Sequence, residues 1–223
     1  SADFLLDQLS EIPAFLGMCD YEGFSCGWSE NAEVGIVRVS KKGEPESFDS
    51  AVGFNAVSPG DDGNVQSATP YRGILYCKKN SRVYALQMNP ADDPINWEAT
   101  RIESGMGSVV YGSAVVLDST GESQDVLVHI DKSGLLKFTG SYAEQPLSWK
   151  IDDLWQSINK AYLNTVQLVQ DPINKVLFLN VPLDSETEPS TVFVCDYKNG
   201  LSAESVRWDI WKFPKKPTSI LVD

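Results

Sequence analysis

Short apolar runs that stop at polar turns recur along the chain, and helical periodicity is confined to two places. Such runs end at turns in 15–23 (FLGMCDYEG), 67–73 (SATPYRG), 113–122 (SAVVLDSTGE), 165–174 (TVQLVQDPIN) and 219–223 (SILVD). Their strand-end residues Asp20, Arg72, Asp118, Asp171 and Asp223 are 52, 46, 53 and 52 positions apart. Behind each of the first four come a second strand, a turn and a third strand, in 24–40, 74–88, 126–139 and 176–197. An outer element then carries an aromatic side chain, Phe48, Trp97, Trp149 or Trp208, spaced 49, 52 and 59. The helical exceptions are Phe4–Leu9 and Ile151–Ile158, where Ile151, Leu154, Trp155 and Ile158 recur at i, i+3, i+4 and i+7.

Four copies of a four-stranded unit predict an all-β fold, a β-propeller or propeller segment, because repeats of this length are propeller blades. The expected blades are roughly 14–60, 64–107, 108–160 and 161–213, with a partial fifth at 214–223. A lead-in with a short helix, 1–13, precedes them. Turns at 79–81 (KNS) and 131–134 (DKSG) read as tight connections, and 182–190 as a longer exposed loop. A single blade cannot bury two apolar faces alone, so Phe48, Trp97, Trp149 and Trp208 are expected to pack between blades. A β-sandwich built of similar hairpins is the rival.

Composition narrows the chemistry. The 223 residues carry 31 acidic against 18 basic side chains, a net charge of -13, which argues against gripping nucleic acid or anionic lipid. No stretch approaches the ~20 apolar residues that span a bilayer. Ser1 stands where Met would open a chain, and Asp3 and Asp7 oppose a signal-peptide reading, so the chain is expected to be a piece of something longer. Cys19, Cys26, Cys77 and Cys195 lack paired C-x-x-C spacing and are expected to be buried free thiols.

The stretch 14–48, with Gly43-Glu44-Pro45-Glu46-Ser47-Phe48 as its most specific part, resembles a blade of tailed-bacteriophage tail and head-to-tail connector proteins. Residues 71–86 resemble the next blade, and Glu103-Ser104-Gly105-Met106-Gly107-Ser108 a Gly-rich crossover before the third. The segments 132–140, 146–159 and 174–211 resemble the last ones, so the likeness runs from Ala14 onward and rests on motif order. It implies a virion building block of the nozzle or stabilisation-ring type, assembled in the host cytoplasm, with other phage structural proteins as partners and a homo-oligomeric ring in the full-length context. An acidic wall would let DNA pass without sticking. Specific nucleic-acid binding is not expected.

Catalytic, cofactor-binding and metal-ligating residues are expected to be none, and the protein is read as no enzyme. His129, the single histidine, alternates with Val128 and Ile130 and has no nucleophile elbow nearby, so it reads as a strand residue. Asp118–Glu122 and Asp61–Asn64 look like calcium loops but lack the terminal bidentate Glu, and turn chemistry explains them. Carboxylate pairs at Asp152/Asp153, Glu30/Glu33 and Glu44/Glu46 keep a propeller glycosidase as a distant option. A carbohydrate-binding propeller is the nearer alternative, because exposed tryptophans make sugar platforms. The run 104–108 (SGMGS) lacks the lysine of a phosphate loop.

Overall fold

Two hairpin turns share one left-handed backbone. Glu22 and Gly23 have φ of 54° and 83°, and Arg72 and Gly73 have φ of 51° and 72°. Positive φ at both central residues is the primed turn whose twist suits two antiparallel strands, and glycine second makes it affordable. In the first case it joins β1 (Gly17–Tyr21) to β2 (Phe24–Trp28), and in the second β6 (Ser67–Tyr71) to β7 (Ile74–Lys78). A tyrosine precedes each turn, and both Tyr21 and Tyr71 are buried.

This computed structural model describes residues 14–28, 34–61, 63–104, 114–117, 126–139 and 145–213. The lead-in 1–13, the partial unit 214–223 and most of the Gly-rich crossover lie outside them. The described residues form four antiparallel sheets and little helix, so the fold is all-β. The first sheet continues through β3 (Ile36–Lys41) and β4 (Glu44–Phe48), with β5 (Phe54–Ala56) also paired to β3. The second continues through β8 (Arg82–Gln87) and β9 (Glu98–Ser104). The third holds β10 (Ala114–Leu117), β11 (Val126–Asp131) and β12 (Gly134–Phe138). The fourth runs β13 (Gln167–Asp171), β14 (Val176–Val181), β15 (Thr191–Asp196) and β16 (Arg207–Lys212).

The chain divides into two compact units, 1–111 and 112–223. Within the first, β1 lies beside β6, so the opening strands of successive sheets are neighbours. Within the second, β10 and β13 are related in the same way. Tyr21, Cys26, Trp28, Val37 and Val39 of the first sheet share one core with Leu75, Cys77, Tyr84 and Leu86 of the second. This is what period-2 alternation demands, since i and i+2 line one face. In the second unit Leu177, Leu179, Val181, Phe193 and Cys195 form the covered face of the fourth sheet, each at 0% exposure.

The expected helix at 151–158 is a single α-turn, α1 (Asp152–Gln156), with a 3-10 helix, Leu147–Ile151, before it. Trp155 on it and Ile158 just beyond its end are buried. The other helix, 4–9, falls outside the described residues. Among the described residues no helix is long and apolar enough to cross a membrane.

Candidate functional site

The four repeated aromatics do not behave alike. Phe48 and Trp97 are buried, at 4% exposure each. Trp97 stands edge-on to Phe24 at 5.4 Å and to Tyr21 at 6.2 Å, across the two sheets of the first unit. Its indole N–H donates to the Asp92 carbonyl at 3.2 Å. Phe48 meets the ring of Phe15 at 5.5 Å, and that ring also sits where a side chain on Gly27 would go. Trp208, on β16, is half-buried and donates its N–H to the Leu147 carbonyl at 3.1 Å.

Trp149 corrects the pattern, for it is 53% exposed. It stands on the 3-10 helix, a segment the strand-based repeat did not anticipate. There the interior is filled by Leu147 at 0% and Trp155 at 1%. The next residue, Lys150, turns back and donates its ammonium to the carbonyls of Glu204 and Val206, which fixes the helix and leaves the Trp149 ring outward.

That ring borders a cleft of about 390 Å³ lined also by Lys150, Ile151, Asp152, Asp153 and Leu154. Asp152 accepts from the Gln156 amide at 3.2 Å, one helical turn on. The cleft therefore joins an aromatic face to two carboxylates, while the Lys150 charge is committed to backbone carbonyls. Of the other carboxylate pairs, Glu44 and Glu46 are exposed on one edge of β4, and Glu30 and Glu33 lie outside the described residues.

At the Asp61 loop a cation is already supplied by the chain. The Lys79 ammonium donates to the carbonyls of Ser58 at 3.0 Å and Asp61 at 2.7 Å, and lies 5.6 Å from the centre of the Tyr84 ring. The Asp61 carboxylate pairs with Arg82 and accepts from the Tyr84 hydroxyl. These are the oxygens a calcium ion would need. The second loop, Asp118–Glu122, lies outside the described residues, and among those described no three His, Cys, Asp or Glu side chains come together as metal ligands.

His129 is wholly buried on β11, opposite Ala114 and Leu136. The four cysteines are free thiols. Cys19 and Cys26 oppose each other across β1 and β2, and burial pushes the Cys19 thiol up to about 12. Burial likewise raises Cys26 and Cys77, and lifts Cys195 to about 12.

One residue escaped the sequence reading. Lys78, beside the expected Lys79–Ser81 turn, is fully buried at 0% exposure, and among the described residues its ammonium has no hydrogen-bond partner. The only hint was its place as the last residue of an otherwise apolar strand, Ile74–Lys78.

No protein-family model and no curated protein matches the chain. Among solved structures it is similar to one described as "a putative 6-phosphogluconolactonase from Bacteroides uniformis ATCC 8492", with a TM-score of 0.55 at 11% identity. The match covers 92% of this chain, which spans 59% of that protein's length. It extends the all-β architecture to a known structure. It also corrects the expectation of no enzyme: the architecture is shared with a protein described as a lactonase, so the sheets give no ground for that exclusion.

Proposed function

We propose that the chain is a building block of a tailed-bacteriophage tail or head-to-tail connector, a β-propeller or propeller segment that packs against neighbouring subunits. The observation that carries this reading is the incomplete cover on the two terminal sheets. On the first, Leu16 and Met18 are 41% and 53% exposed. On the last, Val169, Val176 and Phe178 share a face with Trp211 and are half-buried, while Trp211 itself is 45% exposed. Apolar side chains on both faces of a sheet need cover on both, and a large exposed patch marks an interaction surface.

Two further features support the reading. Successive meanders with neighbouring opening strands are how wedges are set around an axis, and the order of motifs from Ala14 onward resembles the phage family. The net charge of -13 suits a wall that phosphates do not grip. The test is mass spectrometry of purified particles from a host that carries the gene. The chain in the particle, in a fixed ratio to the portal protein, supports the proposal. Its absence from particles, or turnover of 6-phosphogluconolactone by the purified chain, overturns it.

A second reading, carbohydrate binding, is favoured by one observation, the exposed Trp149 ring beside Asp152 and Asp153. Indole faces stack on sugar rings and carboxylates accept their hydroxyls. Tryptophan fluorescence titrated with neutral monosaccharides and oligosaccharides checks it, with Trp149→Ala expected to abolish the change.

A further inference from the structure

Ser67 and Lys78 face each other in antiparallel register on β6 and β7. Residues directly opposite in such a pair project from the same face with their Cβ atoms about 5 Å apart. Both are shut off from water, Ser67 at 1% exposure and Lys78 at 0%. The Ser67 hydroxyl and the Lys78 ammonium are each without a hydrogen-bond partner among the described residues. Across the other edge of β7, Lys78 is opposed by Val83, which is buried and apolar. The adjacent ammonium, Lys79, shows the contrast, since two carbonyls hold it.

We propose that the Ser67–Lys78 pair is a binding site for one small monovalent anion of the halide class. An unpaired buried charge is costly, and a donor left without an acceptor adds to the cost. Both groups can donate, so one acceptor-only ligand serves both. Water would accept both bonds but leave the charge uncompensated. Phosphate or a carboxylate would bring more oxygens than these two donors can satisfy, and would leave acceptors buried and unpaired instead. A single spherical anion fits both counts.

Geometry alone leads to this assignment, and the acid–base behaviour agrees with it. Burial lowers the Lys78 amine to about 7, only partly opposed by the Cys77 thiol, so without a counter-ion the proton is poorly held. An anion would hold it.

The experiment has two arms. In the first, crystals grown in sodium bromide are measured at the bromine edge, and an anomalous peak between Ser67 Oγ and Lys78 Nζ is expected. In the second, unfolding is followed as chloride replaces gluconate at constant ionic strength. The apparent folding constant should then rise about tenfold for each tenfold of chloride above the dissociation constant. Lys78→Met, of similar length and uncharged, should lose that response, and Ser67→Ala should weaken it. No bromine peak, or an equal response in the wild type and Lys78→Met, overturns the proposal. If Lys78→Met does not fold, the bromine map and Ser67→Ala decide the matter.

Discussion

The hydroxyl of Tyr21, in the first sheet, donates to the carbonyl of Gly73, in the primed turn of the second, at 2.9 Å. The same oxygen accepts from the Met88 amide at 3.2 Å, so one phenol ties the first sheet to one end of the second, at the turn before β7 and the residue after β8. The ring itself is 1% exposed, and both hydrogen bonds are partly buried. Tyr21→Phe is expected to destabilise the first unit by roughly 1–3 kcal/mol. Urea unfolding should show a lower midpoint with an unchanged slope.

Trp97 and Trp149, equivalent only in the expected repeat, should respond differently. Trp97→Ala removes a ring packed between two sheets and should cost about 3–5 kcal/mol. Trp149→Ala removes an exposed ring and should stay within about 0.5 kcal/mol. Paired thermal melts of the two variants check this, and equal losses would contradict it.

Trp208→Phe tests a subtler contribution. It keeps an aromatic ring on β16 but leaves the Leu147 carbonyl without its indole donor. A loss of about 1 kcal/mol is expected, read from the urea midpoint.

Lys78 sets a pH window in halide-poor buffer. Its amine titrates near 7 when folded, against 10.5 ordinarily, so between these values the unfolded chain binds more protons. Stability should therefore rise as pH goes up through this window, by at most about 1.4 kcal/mol per unit. The buried thiols act in the opposite sense above 9.0, where the unfolded chain releases protons that the folded one keeps. The rise should be visible between about pH 7 and 9 and absent in Lys78→Met.

The same thiols should be inert in the native protein. Cys26, Cys77 and Cys195 are buried and Cys19 only partly reached by solvent, and all four have raised pKa values. Reaction needs the thiolate. An aromatic disulfide reagent at pH 8 should label at most Cys19 quickly, and all four after unfolding in urea.

The hairpins were legible because their physics is local. The Lys79–Ser81 connection and the 182–190 loop lie between strands where polar residues interrupt the alternation, and β7 and β14 end beside them. The burial of Trp97 was also legible, as it follows a short Pro94–Asn96 turn straight into β9. Trp149 was not. Leu147, Trp149 and Trp155 are all large and apolar, and only the 3-10 winding and the Lys150 anchor decide which of them turns outward. Lys78 was not singled out either, because it stands next to the polar 79–81 turn, where a second lysine draws no attention. Both lysines are buried: one by pairing with carbonyls, the other with no partner among the described residues.

A loop organised by a calcium ion can be undone by a chelator or by a fall in free calcium. The 58–61 loop is held by Lys79, a cation tethered to its own backbone, so dilution cannot strip it and its shape does not follow the divalent-ion content of the surroundings. For a strongly acidic chain, which gathers mobile counter-ions over its surface, this keeps one corner of the first unit indifferent to which of them happen to be present.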